Sequence, residues 1–385
     1  MNFPNPDPGF VEKKLIYILN KIDEADTSHF YHVLNLLKTL QGLGWEIRLL
    51  SEKGGEGVRE IGGMEICYLS RANPVERFFR LCHALMRARR EGFRLTFVRI
   101  SVPAALVTTT FGRLLGFKTI FWNSSANHDL KKGVSRRRRA LDRVAFRLIV
   151  ALLDRFVTGP ESMVDYYVRH YGVPRRKLSL LYNDVDLSRF APMSRRRRAG
   201  GPIRILSVHR FSPAKQTPFY LPDLIETLNG IATAERPVVL ELVGDGPERA
   251  DVKKAVEVAG PHLRVELPGA IPNARITDHY RKADIFIMPS RREGMPRVLI
   301  EAMAMGLPFV TTDAGGSADL IDPRHMGFVV SRDDPKAFAN AVAILIGRRE
   351  LWPILSAENL ARAQRYSTPA VAKMYDDLLV SRLRA

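Results

Sequence analysis

The stretch ADIFIMPSRREGMPRVLIEAMAMGLPFVTTD, residues 283–313, sets out a strand, a turn, a helix and a second strand in that order. The run ADIFIMPS reads as a short strand bounded by Pro and Ser. Gly294 suits a backbone turn that residues with side chains resist, and Pro296 suits a first helical position, where its missing N–H would have had no partner anyway. The helix runs through RVLIEAMAM and stops at Gly306, with Pro308 beyond it, before LPFVTTD begins the next strand.

The same cycle repeats outward in both directions. IRILSVHR, PVVLELVG and LRVELPG precede this segment as short strands separated by helical patterns, so residues 203–369 read as one doubly wound α/β domain. Upstream, KLIYIL, WEIRLLS, EICYL, LTFVRI, KTIFW, RFVTG and LSLLY mark a second set of strands. HVLNLLKTLQGLG lies among them, with an apolar stripe at Val33, Leu36, Leu37 and Leu40 that ends at Gly42 or Gly44. Residues 1–187 therefore form a complete α/β domain of their own. Between the two, residues 188–202 (SRFAPMSRRRRAGGP) lapse into Pro, Gly and four consecutive arginines and read as a linker. The final helix, within residues 370–385, belongs to neither sheet by its order.

Composition excludes several classes. The 385 residues are 46% hydrophobic and 26% charged, as in an ordinary globular protein of about two domains. Two cysteines, Cys67 and Cys82, lack metal-ligand spacing, so a disulfide framework or a zinc site is not expected and a reducing, cytoplasmic compartment is. The leader MNFPNPDPGF has prolines where an export signal has an apolar run. The longest uncharged apolar stretch, residues 100–112, is 13 residues, short of the roughly 20 that span a bilayer as a helix.

The net charge of +18 is unevenly placed: residues 1–200 hold 35 Lys and Arg against 19 Asp and Glu, residues 201–385 hold 24 against 22. An anionic partner for the first half follows. RRRRALDRVAFRLIVALLDRF (136–156) puts Leu141, Val144, Ala145, Leu148, Ile149, Leu152 and Leu153 on one helical face behind arginines, and VERFFRLCHALMRARREGF (75–93) has the same character. Such helices serve either as core elements with solvated arginines or as docking elements for an anionic membrane. Nucleic acid is the competing partner, but the motifs of its readers are absent, and no nucleic acid is expected.

Candidate site residues cluster in the second domain. In an open parallel sheet ligands bind beyond the carboxyl ends of the strands, and the helix after ADIFIMPS aims its N-terminal N–H groups there. Glu293 and Glu301 bracket that helix start. A carboxylate accepts two hydrogen bonds from a vicinal diol, which sugars and riboses both present. The plain alternative is a helix-capping Glu293 and a solvated Glu301. Against it, Glu301 sits among Val298, Leu299, Ile300, Ala302 and Met303, where a carboxylate needs a partner. In LSVHRFSPAKQ (206–216), Arg210 and Lys215 are placed to converge on a diphosphate, without a metal. Taken singly, such loop cations are more often solvated. The turns VGDGPE (243–248) and DAGGS (313–317) also follow strands and are candidates for bringing backbone close to a ligand.

The order of these motifs resembles the retaining glycosyltransferases of family 4, which have the GT-B fold of two Rossmann-like domains facing each other across a cleft. R-x4-K after a strand, GDGP, a PG turn at Pro268 and Gly269, E-x7-E and a GG turn match the family's second half; GWEIRLLS and YNDVDLSRFAP match its first half and crossover. The resemblance implies that Arg210 and Lys215 bind the donor diphosphate, Glu293 the transferred sugar and Glu301 the ribose. Backbone at Gly294, Met295 and Pro296 would touch sugar and phosphate, and Ile271 in PGAIPN would lie by the base. Arg210, Lys215 and Glu293 would carry the chemistry, with retention of configuration and no obligatory metal or other cofactor. The terminal helix would cross back to the first domain.

Departures are visible too: His209 and Gln216 stand where the family has glycines, DEADTSHFYH lacks its glycine pair, and Trp122, Asn123 and Ser124 stand where a histidine is frequent. Arg99, Asn123 and His128 are therefore the acceptor-side candidates. The expected activity is hexose transfer from a UDP- or GDP-sugar to a glycan or lipid-linked acceptor at the inner face of the cytoplasmic membrane, in envelope polysaccharide or glycolipid synthesis. A nucleotide-sugar 2-epimerase of the same fold is the alternative from another class.

Overall fold

A computed structural model describes residues 12–22, 31–69, 73–124, 136–159, 161–192, 201–321 and 328–384. The first sheet holds β1 (Lys14–Leu19), β2 (Glu46–Ser51), β3 (Val58–Ile61), β4 (Met64–Tyr68), β5 (Leu95–Arg99), β6 (Lys118–Trp122), β7 (Arg155–Thr158) and β8 (Leu178–Leu180), ordered β3-β4-β2-β1-β5-β6-β7-β8. Its helices are α1 (Tyr31–Gly42), α2 (Pro74–Arg90), α3 (Val102–Val107), α4 (Arg136–Leu152) and α5 (Ser162–Tyr171). The second sheet holds β9 (Ile203–Val208), β10 (Val238–Val243), β11 (Leu263–Gly269), β12 (Ile285–Met288), β13 (Phe309–Thr312) and β14 (Val329–Val330), ordered β11-β10-β9-β12-β13-β14. The remaining helices are α6 (Thr217–Ile231), α7 (Arg249–Ala255), α8 (Ile276–Lys282), α9 (Arg297–Ala304), α10 (Pro335–Gly347), α11 (Trp352–Ala363) and α12 (Thr368–Arg384).

Every strand pair is parallel except β3–β4, a hairpin turned by Gly62 and Gly63, both at positive φ. That pair of left-handed residues matches the twist of the flanking strands. Central strands are buried on both faces, which is why they read as continuous apolar runs. Strand order reverses between β1 and β5 in one sheet and between β9 and β12 in the other. Each reversal opens a crevice at the strands' carboxyl ends.

Each sheet packs an outer core of its own, Phe121, Phe146 and Phe156 in the first and Tyr220, Leu224 and Phe338 in the second. The inner faces share a third core that runs from Phe97 and Trp122 to Met295 and Leu299. α12 joins that shared core from the far end of the chain. Its Tyr375 ring lies tilted against Phe97, and its Asp376 accepts hydrogen bonds from Trp45 Nε1 at 2.8 Å and Lys13 Nζ at 2.9 Å. The two lobe crossings are themselves tied: Val185 N donates to Tyr366 O at 2.8 Å, Thr368 N to Val185 O at 3.1 Å, and Thr368 Oγ1 to Asp184 Oδ2 at 2.7 Å.

The structure divides the apolar stripe expected on α4. Phe146, Ile149, Val150 and Leu153 face the core at i, i+3, i+4 and i+7, whereas Leu141 (69% exposed), Val144 and Leu148 point outward beside the exposed Arg137, Arg143 and Arg147. On α2 the same split leaves Val75, Phe78, Phe79 (64% exposed) and Met86 in solvent over buried Leu81, Cys82, Leu85 and Ala88. Among the described residues no helix is long and apolar enough to cross a membrane.

Candidate active site

The loops after β9 and β12 lie on either side of the second sheet's order reversal, because those strands are neighbours. Arg210 and Lys215 occupy the first loop and Glu293 the second. Arg291 N donates to Lys215 O at 3.1 Å, which stitches the loops together. Lys215 Nζ forms an ion pair with Glu293 Oε1, which also accepts from Ser290 Oγ at 2.8 Å. Arg210 is exposed and makes no ion pair among the described residues. A paired cation and a carboxylate therefore meet at the crevice, and an exposed cation, Arg210, lies on the same loop as Lys215.

Glu301 confirms the argument from its apolar surroundings. It is 8% exposed, and its partners are the Tyr280 hydroxyl, 3.0 Å from Oε2, and Arg297 Nη2, 3.4 Å from Oε1. Burial, and then the Glu301 charge, raise the Tyr280 phenol well above its ordinary value of 10, so it remains a proton donor. Burial pushes Arg297 below its usual value, while Glu301 opposes that shift. Ile271 is half-buried against the shared core, beside the left-handed Gly269.

The glycine turns bring backbone close to backbone. A side chain at Gly244 would strike the His209 carbonyl, one at Gly246 the Phe211 carbonyl, and one at Gly315 the Glu293 carbonyl. These glycines let loops pack on one another. Gly294 likewise sits against the carbonyl of Ser124 in the first lobe, so a methyl group there would collide with it. Gly316 N donates to Gly294 O at 2.9 Å, tying the Glu293 loop down from its other side.

His209 fills its glycine position by burying its ring between Ser207 Oγ at 3.1 Å and Thr217 Oγ1 at 2.5 Å. Burial, reinforced by Lys215, lowers its pKa to about 3, so the ring is neutral. Gln216 adopts φ 54 at the start of α6, a left-handed conformation uncommon outside glycine. Its Oε1 accepts from Arg291 Nη1 at 2.8 Å.

In the first lobe Arg99 lies at the end of β5, 3% exposed, with its guanidinium 3.0 Å above the Trp122 ring. It donates to Asn183 Oδ1 at 2.8 Å and to the Tyr17 and Tyr375 hydroxyls at 3.3 Å each, and lies 3.5 Å from His32 Nε2. Asn123 is buried after β6, its N–H donating to Val157 O at 3.0 Å. His128 lies outside the described residues, as do residues 193–200 of the linker. Sequence reasoning did not single out Tyr280, Arg297 or Ser290, and it reached Asn183 only through the resemblance of YNDVDLSRFAP to the family's crossover segment. Only Arg297 left a local signal, the i to i+4 spacing to Glu301.

Two lobes of parallel sheet, each reversing its strand order over a shared cleft, with cations and carboxylates on the second lobe's rim, are the architecture of a GT-B glycosyltransferase. Sequence profiles agree: residues 31–189 match Glycosyltransferase Family 4, and residues 203–348 match Glycosyl transferases group 1. The chain belongs to glycosyltransferase family 4. A D-inositol 3-phosphate glycosyltransferase of Geodermatophilus obscurus is 30% identical over 226 residues, which are 53% of this chain and 48% of the relative. The chain spans about half the length of the curated relatives it matches. Among solved structures, sucrose-phosphate synthase from Thermosynechococcus elongatus superposes with a TM-score of 0.77 at 19% identity, covering 96% of this chain and 99% of that one. HepE of Anabaena, in complex with UDP, gives 0.74 at 16% identity, covering 96% and 100%. At such identities the structures speak for the fold.

Proposed function

We propose that this glycosyltransferase moves a hexose from a UDP- or GDP-sugar to a glycan or lipid-linked acceptor at a membrane surface, in cell-envelope polysaccharide or glycolipid synthesis, with retention at the anomeric carbon. The observation that carries the reading is the meeting of Lys215 and Glu293, with the exposed Arg210 on the same loop as Lys215. In the donor complex Lys215 turns from Glu293 to the diphosphate, Arg210 joins it, and the released carboxylate accepts the sugar hydroxyls. Glu301 is poised for the ribose diol. That HepE binds UDP on the same fold supports a nucleotide donor.

Retention follows if the acceptor hydroxyl attacks from the side the diphosphate leaves. The bond from the acceptor oxygen to the anomeric carbon forms as the bond to the diphosphate oxygen breaks, and that departing oxygen takes the acceptor's proton. The two cations stabilise the charge that develops there, the task a divalent ion performs elsewhere, so transfer continues in EDTA. Arg99 and Asn123 border the acceptor side.

The outward apolar residues of α2 and α4, set among arginines in the strongly basic lobe, suit peripheral attachment to an anionic leaflet from the cytoplasm. A thermal-shift panel of UDP-, GDP- and ADP-sugars tests the donor, because a ligand at about 100 times its Kd stabilises by roughly 2.7 kcal/mol. A flat response to every sugar nucleotide removes the reading. Flotation with phosphatidylglycerol vesicles at low salt tests the membrane component separately.

A further inference from the structure

The Glu293 loop is held from both lobes, and the carbonyl groups of Gly294, Met295 and Pro296 are taken up by hydrogen bonds within the protein. Gly294 O accepts from Gly316 N at 2.9 Å, Pro296 O from Leu299 N at 3.2 Å, and Met295 O from Asn183 Nδ2 at 2.8 Å. The backbone N–H of Asn183 also donates to Met295 Sδ at 3.2 Å. With the carbonyls engaged, the N–H groups of Gly294 and Met295 have no acceptor among the described residues. Two peptide N–H groups are thus left to a ligand at the mouth of α9.

Asn183 is the first lobe's side-chain contribution to that arrangement, and Arg99 decides how it points. A free asparagine amide presents its oxygen or its nitrogen with nearly equal ease. Arg99 Nη2 donates to Oδ1 at 2.8 Å, which turns Nδ2 toward Met295 O. Arg99 is fixed in turn by the Trp122 ring and by the hydroxyls of Tyr17 and Tyr375. The backbone that follows it, Ile100, is held at φ 68, a strained conformation for a β-branched residue.

We infer that Asn183, oriented by Arg99, is a positioning residue for transfer: it sets the Met295 peptide so that the donor loop's N–H groups face the sugar and diphosphate. The inference rests on the transferase reading above and assigns Arg99 to the donor loop rather than to direct acceptor contact. Asn183→Asp is the discriminating change. It keeps the oxygen that Arg99 grips, with a stronger charge attraction, but replaces the N–H that pins Met295 O by a repelling oxygen.

Turnover is followed as nucleotide release from whichever of UDP-glucose, UDP-galactose, GDP-mannose and ADP-glucose the wild-type full chain uses, and binding as the Kd of the matching nucleoside diphosphate. Asn183→Asp and Asn183→Ala are each expected to lower kcat about 10- to 100-fold, the scale of a small misplacement of reacting groups, with Kd changed less than about twofold. Asn183→Asp keeps the wild-type Tm, and adding Arg99→Lys to it lowers kcat no further, since both act through one contact. Wild-type kcat in Asn183→Asp, or a Kd that rises in step with the loss, overturns the inference. So does loss of the fold in both variants, which makes the side chain lobe adhesive and nothing more. A wild-type chain that uses none of the donors sinks the transferase reading and this inference with it, whereas an active wild type matched by its variants sinks this inference alone.

Discussion

Two arginines that follow strands of the two sheets have opposite surroundings. Arg99 ends β5 wrapped by an indole, two phenols and an amide, whereas Arg210 stands two residues beyond β9 in solvent without an ion-pair partner among the described residues. The first spends its hydrogen bonds inside the protein and so fixes geometry. The second leaves its charge exposed to solvent. In the reading proposed above, burial and exposure separate a residue that prepares the site from one that meets the donor.

The largest expected effect sits between them. Glu293→Ala should lower transfer by at least about 100-fold while the nucleoside diphosphate still binds, measured as kcat beside the Kd of UDP or GDP. A variant that transfers normally removes Glu293 from the sugar site. Next, the arginines themselves should part company in chemical denaturation. Arg99→Ala is expected to destabilise by about 3 kcal/mol, through stranded buried partners and a cavity. Arg210→Ala should change stability by less than about 0.5 kcal/mol, yet weaken nucleotide binding about 10- to 100-fold, as the loss of a charge-assisted bond implies. Equal stability losses would erase the contrast.

The smallest effect concerns His209, buried in the second lobe beside the exposed Arg210. Its folded pKa of about 3 lies below the ordinary 6.5, so the unfolded chain takes up a proton first as pH falls. Its contribution is therefore intact above about pH 6.5 and declines toward pH 3, by roughly 2 kcal/mol at pH 5. His209→Asn should flatten that part of the stability profile between pH 7 and pH 5. An unchanged slope would mean that the ring protonates in the folded protein.

Much of this was legible in the sequence, for local reasons. The strand, turn and helix around Glu293 announce themselves through Gly294 and Pro296, and Glu301 could be judged in need of a partner from its apolar neighbours alone. The partner was not legible, because Tyr280 comes from α8 and nothing in its spacing points to Glu301. Asn183 was marked only by the resemblance of its segment to the family's crossover, and its partner was hidden, since Met295 meets it only when the lobes come together. The α4 stripes were confused because 141, 144, 148 and 146, 149, 150, 153 both keep helical spacing, and only the sheet decides which one is covered. The β3–β4 hairpin went unread although Gly62–Gly63 between two extended runs is a recognisable turn signal. The 2-residue strand β14 offers too little sequence to carry any pattern.

The return of α12 to the first lobe has a consequence for biosynthesis. Trp45, Lys13 and Phe97 leave the ribosome early, but the carboxylate and ring that cover them, on Asp376 and Tyr375, are made only after the whole second lobe. One side of the earlier lobe must stay uncovered throughout that interval. The nascent chain therefore has a window in which a chaperone, or a neighbouring copy, can reach an apolar surface that the finished enzyme never displays.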